Sequence, residues 1–215
     1  MFRIVSIVAF LVTFLGIALH HTAFLSGLSE YRWSPLEILK KLVYLLTLLF
    51  LKQRLSLLGK LKKLVYLLTL LCFLILVVTG FYPAIVLGEE LSGYLSVLHI
   101  TAGGVFAACL ALLALMWAHQ RRFNENDWPW LVNLVRHDAR GMFLPERSGL
   151  LRKICFWLIV ILALPVMLSI VLSMFPLFGT AGQHFFVTTH RYSALVFALV
   201  AIVHIYLLIR RTDYE

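Results

Sequence analysis

The chain has 215 residues, 62% of them hydrophobic and 13% charged, with a formal net charge of +9. Average soluble chains carry about 25% charged residues, so this composition excludes an ordinary soluble domain. Lys and Arg flank the apolar stretches instead of forming a stripe among exposed aromatics, which excludes nucleic acid as the reason for the charge.

Stretches of ~20 apolar residues cross a bilayer as helices, because hydrocarbon offers the backbone no hydrogen-bond partner. The predicted class is all-α: a polytopic transmembrane helix bundle. Residues 1–21 read as an N-terminal transmembrane helix, apolar from Phe2 to Ala18 and closed by His20 and His21. Its short basic start resembles a signal peptide, but the small-residue cleavage pattern is missing, so it reads as a retained span.

Residues 22–61 form a basic amphipathic segment on the cytoplasmic side or at the interface. The string KKLVYLLTLL occurs at Lys40–Leu49 and again at Lys62–Leu71. Two copies are too few for a solenoid and read as a local duplication. The first copy stops before Lys52 and Arg54, too short to span, and suits an interfacial helix. The second continues into CFLILVVTGFYPAIVL and spans.

Residues 62–215 read as a four-helix core, with further spans at Tyr94–Ala118, Ile154–Leu177 and Phe185–Ile209. Gly88–Gly93 and Phe178–Gln183 are the predicted short connections. The long connection, Gln120–Lys153, holds the amphipathic piece WPWLVNLVRHDARGMF, suited to a membrane surface. Arg and Lys crowd the segment before the second span, the long connection and the end of the last span, while LGEELSG and LFGTAGQH contain none. This places the basic side and the C-terminus in the cytoplasm. An outside N-terminus satisfies more of these charges than an inside one. Cys72, Cys109 and Cys155 lie in or beside apolar stretches without a Cys-x-x-Cys pair, which argues for packing and against zinc, a cysteine-held cluster or covalent haem.

The histidines carry the functional signal. His190 and His204 are fourteen residues apart in one span, close to four turns and roughly 21 Å along one face, with Ala194, Phe197 and Ala201 between them. An ionisable side chain inside a span is a functional candidate by default, and two on one face suggest two stacked haem levels. The alternative is a pair of buried histidines bonded to neighbouring helices. A haem held between helices needs one histidine from each at matching depth. His99, followed by Gly103 and Gly104, meets that condition with His190 near the outer face. A partner for His204 is expected near position 113, where Leu113 stands. His119 sits at the wrong angle, among charged residues, and reads as an interfacial side chain. His137 and His184 read as loop histidines, and Arg191 suits either a propionate or a lipid headgroup.

LVVTGFYP, LHITAGG, RKICFWLIV and HRYSALVFALVAIVHIYL, in that order between Lys62 and Tyr206, resemble the four-helix bacterial di-haem cytochrome b family. That family includes gamma subunits of formate dehydrogenases and cytochrome b subunits of nickel–iron hydrogenases. The resemblance implies His99 and His190 as axial ligands of an outer haem b and His204 as one ligand of an inner haem b. The family's other inner ligand, a histidine thirteen residues before Thr79, falls on Tyr66. Three outcomes stay open: His20 or His21 supplies the ligand, Tyr66 ligates iron, or the inner haem is missing and His204 meets a quinone or a neighbouring side chain.

The resulting expectation is a membrane b-type cytochrome that is an electron-transfer subunit without substrate chemistry of its own. It would pass electrons between menaquinone or ubiquinone and an iron–sulfur or c-type cytochrome subunit of a respiratory complex. A haem-poor membrane anchor is the alternative. A transporter would need acids or broken helices at mid-membrane, and no Asp or Glu lies there.

Overall fold

A computed structural model describes residues 1–25, 57–128, 132 and 145–211. The long helices are α1 (Phe2–Leu25), α2 (Leu57–Tyr82), α3 (Gly93–Ala118), α4 (Pro145–Ser173) and α5 (Gly179–Arg211). Five helices are long and apolar enough to cross a membrane: Phe2–His20, Gly59–Leu87, Gly93–Ala118, Gly149–Ser173 and Pro176–Ile209. The first KKLVYLLTLL copy, His137 and most of the amphipathic stretch after Trp128 lie outside the described residues. The chain divides into two compact units, Met1–Cys109 with Ile209–Glu215, and Leu110–Leu208.

In the first unit, α2 shows how lipid inverts the usual burial pattern. Leu61, Leu64, Leu68, Leu71, Leu74 and Val78 are exposed, whereas Val65, Thr69, Cys72, Phe73 and Thr79 are buried. Leucine gains nothing by leaving a hydrocarbon solvent, so the packed face goes to side chains that fit closely or bond. The Thr69 hydroxyl donates to the Val65 carbonyl at 2.7 Å, which satisfies it without leaving its own helix. Phe73 of α2 meets Phe106 of α3, with ring centroids 6.3 Å apart.

Helix α2 ends in a π-helical turn, Pro83–Leu87, closed by Gly88 at φ 76°. A left-handed residue here lets the Gly88 amide return to the Pro83 carbonyl at 2.8 Å. The start of α1 lies against this end of α2. Phe81 stacks on Phe2 and takes Phe10 edge-on, at centroid distances of 6.5 and 5.2 Å. Between those rings on the same helix face, Ser6 is fully buried and lets the two helices approach. Arg3 Nη2 donates to the Val86 carbonyl at 3.4 Å.

In the second unit, α4 ends four residues before the expected boundary because Pro176 holds Phe175 in extended backbone (φ −91°, ψ 130°). Conversely, α5 begins at Gly179 instead of Phe185, so most of the expected loop 178–183 is helical. Hydropathy finds the apolar part of a helix, and the polar turn Gly179–His184 extends beyond it. Trp157 of α4 donates Nε1–H to the Arg121 carbonyl at 3.0 Å, tying α4 to the end of the preceding span.

Beside that contact, one oxygen of Asp127 accepts from the Asn124 amide at 2.7 Å and from Lys153 Nζ at 2.6 Å. Burial alone raises the Asp127 pKa. The Asn124 amide and the Lys153 ammonium outweigh burial and hold the carboxyl below the usual carboxylate range. A depressed folded value means this contribution is complete above the unfolded pKa of ~3.9 and is lost as pH falls through the folded value. Thermal unfolding in detergent checks this. Asp127→Asn is expected to cost less than about 1 kcal/mol at neutral pH, with the two curves converging in acid.

The α1 contact gives a topological prediction. A cysteine inserted after Met1 and one at Glu90→Cys are expected to react with an impermeant thiol reagent from the same side of the membrane. Asn124→Cys is expected to react from the other.

Candidate functional site

His99 sits near the start of α3 and His190 in the first half of α5, and each ring is bonded by the helix that precedes its own. His99 Nδ1 lies 2.8 Å from the Thr79 hydroxyl of α2. The same hydroxyl lies 2.7 Å from the Ile75 carbonyl. With its proton given to that carbonyl it accepts from the imidazole, an arrangement in which Nδ1 of His99 carries the ring proton and Nε2 the lone pair. His190 Nδ1 lies 2.8 Å from the Val166 carbonyl of α4. A carbonyl only accepts, so the same tautomer follows.

Gly80 explains how the His99 ring reaches α2 so closely. A Cβ at this position would meet His99 Cε1 at 3.1 Å and Nδ1 at 3.7 Å. The glycines after His99 have other neighbours: a Cβ on Gly103 would touch Leu76, and Gly104 faces open space. The ring turns toward α2, so the close approach falls on Gly80 rather than on its own helix.

His204 differs. Its Nδ1 is buried and has no hydrogen-bond partner among the described residues. The face joining His190 to His204 is the packed one, with Phe197 and Ala201 buried and Ala194 half-buried. His119 is exposed in the turn after α3, and His184 is exposed near the start of α5. His20 is half-buried toward the end of α1, His21 continues the same helix, and Tyr66 is half-buried in the second turn-pair of α2.

Residues 59–213 match the model of a family described as prokaryotic cytochrome b561. The chain belongs to this family. No curated protein and no solved structure matches it. The match covers all four helices from α2 to α5 and leaves α1 outside. Members of the prokaryotic cytochrome b561 family are helical bundles that bind haem b and transfer electrons within membranes. This chain is a multi-pass membrane b-type cytochrome.

Thr79, Gly80 and the Val166 carbonyl were missed as site groups in the sequence. Thr79 and Gly80 were visible as part of LVVTGFYP, where a hydroxyl beside a glycine near a helix end is a usable signal for a ring on the next helix. A backbone carbonyl leaves no trace in residue identity, so Val166 had none.

Proposed function

We propose that this cytochrome carries electrons between the quinone pool and a partner redox subunit, with His99 and His190 as axial ligands of one b haem near the outer face. The observation that supports the reading is the shared contact: each Nδ1 lies 2.8 Å from an oxygen of the preceding helix, which suits the tautomer whose Nε2 lone pair can serve a metal. Histidines that ligate metals characteristically donate their other N–H in this way, and the bond raises their basicity. Bound haem would supply a one-electron carrier at that level. The protein's share is to fix ring orientation and protonation, to keep the site within hydrocarbon and to set the potential through its ligands.

His99→Ala and His190→Ala are each expected to remove the same single haem from detergent-purified protein, because either leaves one protein ligand. Reduced-minus-oxidised spectra and acid–acetone extraction read this directly. His119→Ala is expected to leave the spectrum unchanged. Loss of haem on changing His119 but not His99 would defeat the assignment.

The inner level belongs to His204. Its buried Nδ1 has no hydrogen-bond partner among the described residues, and Tyr66 stands where the family resemblance expects the second histidine. Of the alternatives for the missing ligand, the reading takes His20 or His21 of the N-terminal helix. Two haems per chain are then expected, falling to one when His20 and His21 are both replaced. Two haems that survive the double replacement would exclude α1 as donor. A native content of one haem would support a quinone at His204, with His204→Ala slowing quinol oxidation or quinone reduction without spectral loss.

The partner reading is an iron–sulfur or c-type cytochrome subunit of a respiratory complex, taking or giving electrons at the outer face, with the C-terminus cytoplasmic. A haem-poor anchor is the competing reading, and the purified protein's visible spectrum separates the two.

A further inference from the structure

We propose that Thr79 is a positioning residue for His99, fixing its tautomer and ring plane and lowering the potential of the haem that His99 holds. The inference rests on the reading of His99 as an axial ligand. It concerns how the neighbouring helix controls that ligand.

Three observations converge on Thr79. Its side chain is buried, with 3% of its surface exposed. Its hydroxyl stands between two partners, 2.8 Å from His99 Nδ1 and 2.7 Å from the Ile75 carbonyl, so it can accept from the ring while giving its own proton to the backbone. Such chains polarise one another, so the acceptor presented to His99 is stronger than an isolated hydroxyl. Beside it, Gly80 removes the Cβ that would press on Cε1 of the same ring. Thr79 supplies the bond and Gly80 the space, so position and protonation are set by two adjacent residues of α2.

The consequence for potential follows from ligand basicity. An imidazole that donates Nδ1–H into a hydrogen bond gives its metal more electron density, which favours the oxidised iron. His190 donates the equivalent bond to the Val166 backbone carbonyl, which no substitution removes. The Thr79 bond is therefore the adjustable one of the two.

The test uses the full-length haem-loaded protein and compares Thr79→Val, which keeps the shape but has no hydroxyl, with Thr79→Ser, which keeps the hydroxyl. Redox titration of the outer haem is expected to show an upward shift for Thr79→Val and the native potential for Thr79→Ser. In the reduced, diamagnetic protein labelled with 15N-histidine, the Nδ1–H signal of His99 is expected to move upfield in Thr79→Val alone. Should Thr79→Val release the haem, Thr79→Ser must retain it at the native potential.

An unchanged potential and an unchanged Nδ1–H signal in Thr79→Val, in a protein where His99→Ala does remove haem, would overturn the proposal and leave the ligand assignment standing. A Thr79→Ser variant that behaves like Thr79→Val would also overturn it, since packing would then explain the effect. Full haem content in His99→Ala would instead overturn the ligand assignment on which the proposal rests.

Discussion

A polar ring nitrogen inside hydrocarbon has no water to bond, so it must find its partner in another helix. This chain meets that demand at His99 and His190 with two hydrogen bonds of 2.8 Å, each from Nδ1 to the helix before. At His190 the partner is a carbonyl, which only accepts, so Nδ1 carries the proton there; at His99 the Thr79 hydroxyl allows the same tautomer. Ligand geometry, the close approach of α3 to α2 and the need for Gly80 all follow from that demand. A Cβ at Gly80 would displace the ring by a few tenths of an ångström, enough to lengthen a bond on which the protonation state depends.

The same rule governs the other hydroxyls of the spans. Thr69, Ser169, Ser173, Thr189 and Ser193 return their protons to carbonyls three or four residues back in their own helices. Thr79 has such a carbonyl within reach as well, and its hydroxyl also meets a ring. His204 Nδ1 and Ser6 Oγ are buried without a hydrogen-bond partner among the described residues. Ser6 is explained by close packing of α1 on Phe81, where small size matters more than polarity. His204 has no such explanation.

Much of the architecture was legible as composition. Five spans and the tight connection after Gly88 followed from hydropathy and punctuation, because lipid tolerates only helices of sufficient length. Helix ends were less legible: Pro176 cut α4 short through its effect on Phe175, and the polar turn from Gly179 carried α5 past its apolar limit. The histidines were legible because an ionisable group in a span is costly. Their acceptors were not, since Thr79 resembles any other membrane threonine until α3 is laid beside it, and Val166 acts through its backbone. The position of the α1 start depended on Ser6, an unremarked serine whose role appears only when Phe2 and Phe10 are seen on either side of it.

The central claim is that two neutral histidines, each with Nδ1 bonded to protein and Nε2 directed to iron, hold the outer haem. Near-infrared magnetic circular dichroism of the oxidised protein tests it most directly, because the charge-transfer band of low-spin ferric haem reports the identity of both axial ligands. The account predicts the band of bis-histidine coordination with neutral imidazoles. A band of histidine–methionine coordination, of a tyrosinate ligand or of high-spin iron as the sole signal would contradict it.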